Sequence, residues 1–208
     1  YIPKIKDINF LDVLETNMNG CRIIVSRSGY TGEDGFELYV LDKDVKNIAD
    51  ILLLEEEVIP IGLGARDSLR LEAGLCLMGV DLNKNISPVE AQIAWTIGKK
   101  SRINKDFCGS YRILREIESG PSIYRCGFFP TSNAIPRNGS KIFHENTQVG
   151  YITSGSYSPT LKRPIAMGYL DSSLKNNKTV NIEVRGKMIS ANITTLPFVS
   201  HNYFKGEK

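Results

Sequence analysis

The chain is poor in the residues that metal and nucleophilic chemistry most often need. It has only 2 histidines, His144 and His201, among 208 residues. Histidine-rich metal sites and mechanisms that need two histidines at one centre are therefore disfavoured by count alone. Its 4 cysteines, Cys21, Cys76, Cys108 and Cys126, are scattered, with no Cys-x-x-Cys pair. That spacing argues against zinc ligation and against a disulfide framework in a chain of this size, and a reducing compartment is expected. No apolar run approaches the ~20 residues of a membrane-spanning helix. No dense Lys/Arg run is present, and the net charge of +3 is too mild to point to nucleic acid.

What is present is an ordinary globular composition, 41% hydrophobic and 24% charged, which argues for a packed core and against disorder. Residues 21–25 and 36–40 read as strands, and glycines 29, 32 and 35 make their connection a tight turn. Residues 42–54 place Val45, Ile48, Ala49 and Leu52 at the spacing of an amphipathic helix, with Asp42 or Asp44 as its cap. Residues 63–73 read as a second helix closed by Gly74. Residues 76–106 are irregular and carry Pro88 and the single tryptophan, Trp95. Beyond Arg125, short β-prone stretches recur at 125–129, 148–153, 165–170, 180–184 and 188–194, and Gly186 turns the last pair. The pattern is α+β in the first part, followed by a small antiparallel barrel or sandwich.

Several motifs fail on inspection. Gly62-Leu63-Gly64 is no dinucleotide fingerprint, because Asp67 stands where the third glycine is required. Asp81, Asn83 and Asn85 imitate a calcium loop, but Ile86 and Gln92 occupy its glycine and glutamate positions, so a solvated turn is expected. The hydroxyls of Ser156, Tyr157, Ser158 and Thr160 have no histidine within turn reach in sequence, which argues against a serine nucleophile.

Two stretches remain. Residues 29–37 read Gly-Tyr-Thr-Gly-Glu-Asp-Gly-Phe-Glu, and residues 64–74 read Gly-Ala-Arg-Asp-Ser-Leu-Arg-Leu-Glu-Ala-Gly. Glu33 and Asp34 make the first a poor phosphate cradle. It is either a hairpin turn with solvated charges or a binding loop. In the second reading Glu37, with Tyr30 close by, accepts two parallel hydrogen bonds from an N–H/NH₂ edge, as carboxylates do from arginine. The 2-amino-4-oxo edge of a pterin has that form. Arg66 and Asp67, in the first helical turn, form a structural ion pair or a ligand contact, or Asp67 simply favours the positive helix N-terminus. Arg70 and Glu72 read as surface or interdomain partners, and Trp95 as core ahead of a stacking ligand contact.

Together with residues 75–82, 87–90, 95–96, 149–162, 165–169 and 197–203, these stretches resemble the aminomethyltransferases, the T-proteins of the glycine cleavage system. The resemblance is collinear over about residues 21–204. It implies a three-domain cloverleaf of a folate-binding β domain, a ferredoxin-like domain and a C-terminal antiparallel β-barrel. Residues 1–106 would be part of the folate-binding aminomethyltransferase region and residues 107–208 the barrel. It also implies transfer of a one-carbon unit from the aminomethyl-lipoyl arm of the H-protein to tetrahydrofolate, with release of ammonia and no metal. Glu37, Arg66, Tyr30 and Tyr203 fall on the family's folate-site positions, and Trp95 on a tryptophan of the same region. The location implied is mitochondrial, or the cytoplasm in a bacterium.

The family's catalytic aspartate has no counterpart here. Asp7, Asp12 and Asp34 do not match it, and no catalytic residue is assigned. The family is nearly twice this length, and the chain, which begins at Tyr1 with no presequence, is expected to be a C-terminal piece. Two other readings share these residues: the folate-binding portion of a sarcosine or dimethylglycine dehydrogenase, and a non-catalytic folate-binding protein of the same fold. The expectation for residues 1–208 alone is no ammonia release from loaded H-protein. Measurable release in that assay would contradict it.

Overall fold

Alternating burial builds the first sheet from three short strands, β1 (Val13–Met18), β2 (Cys21–Ser26) and β3 (Glu37–Val40). They pair antiparallel in the order β1-β2-β3. Asn19 and Gly20, both at positive φ (49° and 80°), close the β1–β2 hairpin in the primed turn that suits strand twist. β2 turns Cys21, Ile23 and Val25 to one face, where they pack with Met18, Ile2 and Ile48. Ile48 comes from helix α1 (Val45–Leu53), which presents it as its buried residue. The structure, a computed structural model, describes residues 1–206.

Three local details depart from expectation. β1 is not evident in sequence, because Glu15 and Asn17 take its exposed positions and only pairing with β2 buries Met18. Asp42–Asp44 forms a 3₁₀ turn leading into α1, and neither aspartate caps it by side chain. The Val45 amide is already satisfied by the Asp42 carbonyl of that turn, so no side-chain acceptor is needed there. The β2–β3 connection is a long loop, residues 27–36, because Ser26 pairs with Glu37. Helix α2 (Leu63–Glu72) follows the expected bounds, and Gly74 beyond it takes φ +66°.

Tyr1–Ala73, joined by the chain from Ser200 onward, forms one compact unit, and Gly74–Val199 forms a second. The second opens with helices α3 (Lys99–Asn104) and α4 (Ser110–Ser119), neither singled out by the sequence pattern. α4 is strongly amphipathic, and its buried face combines Ile113 with Glu116. Strands β4 (Ile123–Pro130), β5 (Lys141–His144), β6 (Thr147–Ser158), β7 (Arg163–Asp171), β8 (Thr179–Val184) and β9 (Lys187–Thr194) then close a barrel in the order β4-β7-β6-β5-β8-β9. Closure decides for a barrel over a sandwich and leaves no unpaired sheet edge. Arg185 and Gly186, at φ 52° and 75°, make the expected turn between β8 and β9.

The barrel core contains Phe128, Ile142, Ile152, Ala166, Leu170, Ile182 and Ala191, all fully buried. Burial pushes the Cys126 thiol up to about 12, so it stays protonated and packs as an apolar group. Charged groups in this unit are buried with partners. Arg125 donates from Nε to the Ala91 carbonyl (2.8 Å) and from Nη1 to the Gly74 carbonyl (2.7 Å). Asp81 is fully buried and accepts from Leu77 N and Ser154 Oγ, each at 2.8 Å, and from Thr153. This overturns the solvated-turn expectation for Asp81: the segment is an anchor against the barrel. Ser158 Oγ accepts from Leu161 N at 3.0 Å, a turn-capping role. Phe128→Ala is expected to cost about 3–5 kcal/mol, the range for emptying a buried aromatic position. Urea denaturation checks it, and a loss under about 1 kcal/mol would mean the barrel refills the space.

Candidate functional site

The glycine loop 27–36 begins at Arg27 and ends at Phe36, and its shape is set by the charge at its start. Arg27 is 7% exposed. It donates from Nε and Nη2 to the two oxygens of Asp34, at 3.0 and 2.8 Å, and from Nη1 to the Ile8 carbonyl at 2.8 Å. Its guanidinium carbon lies 3.7 Å from the centroid of Phe204 and 5.2 Å from that of Phe36. The Arg27 hydrogen bonds hold the Asp34 carboxyl below the usual aspartate range, helped by the Gly35 and Phe204 amides. Glycine is required at position 32. Its φ is +82°, and a Cβ there would stand 2.8 Å from that of Ala73 at the end of α2.

The C-terminal tail is stitched to this loop. Asn202 N donates to the Gly32 carbonyl at 2.7 Å, and Asn202 Nδ2 to Glu33 at 3.1 Å. His201 Nε2 lies 2.8 Å from the Ala73 carbonyl, which can only accept, so that nitrogen carries the hydrogen. Between these anchors Tyr203 stacks on Phe10, with centroids 4.1 Å apart at 11°, and meets the His201 ring at 4.9 Å. Burial raises the Tyr203 hydroxyl above its ordinary value.

Arg66 lies exposed in the first turn of α2 with its guanidinium 4.4 Å from the Tyr30 ring centroid. Asp67 pairs instead with Arg70, three residues on, at 2.7 Å. The ion-pair alternative for Arg66 and Asp67 therefore fails, and the Arg66 charge sits against an aromatic face. Arg70 and Glu72 are each 3% exposed, which overturns the surface alternative of their reading as surface or interdomain partners. Glu37 is the exposed first residue of β3. Ser28 Oγ lies 2.5 Å from Glu37 Oε2 and 2.8 Å from Ser26 Oγ. With one proton to give, Ser28 donates to the carboxylate and accepts from Ser26.

The structure thus sets Tyr30 against Arg66, Tyr203 against Phe10, and Glu37 against Ser28. Trp95 belongs to the second unit, in the 3₁₀ turn Ala94–Thr96, and is 74% exposed. It is not a core residue. Sequence reasoning missed Arg27, Phe10, His201 and Phe204. For Arg27 a signal existed: a cation and Asp34 bracket the first two glycines of the loop, seven positions apart.

Residues 3–101 match the family model described as the GCVT N-terminal domain, and residues 125–200 that of the glycine cleavage T-protein C-terminal barrel domain. The chain belongs to the glycine cleavage T-protein family. A probable mitochondrial aminomethyltransferase from Schizosaccharomyces pombe is 45% identical over 190 residues, covering 91% of this chain and 49% of that protein. The mitochondrial aminomethyltransferase of Solanum tuberosum is 47% identical, covering 91% and 47%. The aminomethyltransferase of Thermosipho melanesiensis is 41% identical, covering 93% and 52%. The crystal structure of the glycine cleavage system aminomethyltransferase T from Bartonella henselae superposes with a TM-score of 0.89 at 37% identity, covering 96% of this chain and 55% of that one. The chain spans about half the length of the curated T-protein relatives it matches. No described helix is long and apolar enough to cross a membrane, and no described cluster of His, Cys, Asp or Glu could hold a metal ion.

The Arg27–Asp34 pair predicts a pH dependence. Asp34 is held below its unfolded value of about 3.9, so its stabilisation is complete above that range and is lost as pH falls through the lowered folded value. Asp34→Asn is expected to melt below the parent at pH 7, with the gap closing as pH falls below the unfolded aspartate value of about 3.9. Thermal melts across that range check it, and a gap independent of pH would contradict the assignment.

Proposed function

We propose that the protein to which this chain belongs transfers a one-carbon unit from the aminomethyl-lipoyl group of an H-protein to tetrahydrofolate, releasing ammonia. In this reading residues 1–106 belong to the folate-binding region and residues 107–208 to the barrel. The lipoylated H-protein is the partner and tetrahydrofolate the acceptor. The compartment is the mitochondrion, as the names of the fungal and plant relatives suggest, or the cytoplasm in a bacterial setting. No residue of this chain is assigned a catalytic role. Its contribution is binding and orientation, which lower the barrier by holding the folate nitrogen where the carbon arrives.

One observation carries the reading: the state of the Glu37 carboxylate. One oxygen is steadied by Ser28, and the residue stands exposed at a strand end. Such a group is ready to accept from the N–H and amino edge of a pterin. The Tyr30 ring, covered by Arg66 at 4.4 Å, supplies an aromatic and cationic neighbour on the adjoining loop. Tyr203 is a further proposed ligand contact in this unit, and the exposed indole of Trp95, in the second unit, is proposed as one by itself.

Glu37→Ala in the complete natural chain is expected to weaken tetrahydrofolate binding by roughly tenfold or more, the size of one lost hydrogen bond to a charged group. Titration calorimetry reads this directly. Unchanged affinity would remove Glu37 from the site.

A further inference from the structure

Arg27 is not itself a proposed ligand contact, yet the three segments that hold it all lead to such contacts. Its Nη1 binds the Ile8 carbonyl, two residues before Phe10, on which Tyr203 stacks. Its Nε and Nη2 bind Asp34, on the loop that carries Tyr30. Its face packs on Phe204, the residue next to Tyr203. Tyr203 itself sits between two tied neighbours. Asn202 donates to the Gly32 carbonyl, while Phe204 donates through its amide to Asp34 and accepts through its carbonyl from Phe10 N at 3.3 Å.

We propose that Arg27 is a positioning residue for the folate ligand: through Asp34 and Phe204 it locks the C-terminal tail on the glycine loop and so fixes Tyr203 against Phe10. The inference rests on the folate reading given above. The lock needs an arginine. Only a planar fork can meet both oxygens of Asp34, reach a carbonyl with its third nitrogen, and still offer a flat face to an aromatic ring. A lysine keeps the charge and loses the geometry. Opening the tail removes the Phe204 ring and amide together, and with them the second anchor of Tyr203.

The test compares Arg27→Lys, Tyr203→Ala and the double variant in the complete natural chain, by tetrahydrofolate calorimetry and by hydrogen exchange at the Asn202 and Phe204 amides. Arg27→Lys is expected to speed exchange at both amides and to weaken tetrahydrofolate about tenfold, with far-UV circular dichroism unchanged. Because Arg27 acts through Tyr203, the double variant should bind no more than about twofold worse than Tyr203→Ala alone. Losses that multiply would show a general structural effect and overturn the inference. Faster exchange with unaltered affinity would also overturn it, while leaving the folate site intact. Unaltered exchange would remove the lock. Protected tail amides in a parent that binds no tetrahydrofolate would overturn the folate reading and the inference with it. If Arg27→Lys does not fold, Asp34→Asn carries the same comparison.

Discussion

The first unit depends on a buried cation that uses each of its nitrogens. Arg27 closes a loop that would otherwise have little to hold it, since glycines at 29, 32 and 35 contribute no side-chain packing of their own. Gly32, lacking a side chain, also lets the loop lie against Ala73, and its carbonyl accepts the Asn202 amide. The cost of immobilising so flexible a segment is large per residue. One guanidinium offsets it by binding the loop, the segment before β1 and the tail at a single point. Tyr30 and Tyr203 lie on two of the segments joined at that point.

The second unit solves a related problem without an ion pair at its most buried arginine. Arg125 is held by the Ala91 and Gly74 carbonyls, and the Asp81 carboxylate by an amide and two hydroxyls. Each charged group is met by neutral dipoles supplied by the irregular segment and the barrel strands. Arg112 plays the opposite part at the surface of the same unit, pairing with Glu90 at 2.9 Å and Glu116 at 2.6 Å. These contacts explain why residues 76–106 hold a defined path with little regular structure. Their polar groups, not an apolar stripe, decide where they lie.

The elements readable from sequence were those whose burial follows a simple period. Val45, Ile48, Ala49 and Leu52 mark α1, and the alternation of Val180, Ile182 and Val184 marks β8. β1 escaped because its exposed face is polar and its single fully buried residue, Met18, lies at its end. α4, by contrast, carries a clear helical period, and the Glu116 carboxylate on its buried face is satisfied by Arg112 and Ser87. Asp42 and Asp44 looked like caps because acidic residues favour helix starts, but a preceding 3₁₀ turn already supplied the acceptor. Trp95 looked like core on composition, yet stands 74% exposed.

Sequence alone determined the family, the helical and strand periods of most elements, and a carboxylate with a neighbouring ring, Glu37 and Tyr30, of a kind that could meet a pterin edge. These follow from side-chain chemistry and local spacing, whereas Arg66 and Tyr203 entered only through the resemblance. Only the tertiary structure decided that Asp67 belongs to Arg70, that Arg66 lies on Tyr30, and that Tyr203 is held on Phe10. Nor could sequence pair Arg27 with Phe204, since a contact across 177 positions depends on the tail returning to the loop. The reason is physical. A charged side chain selects its partner by the geometry left open to it, and that geometry exists only once the chain has closed on itself.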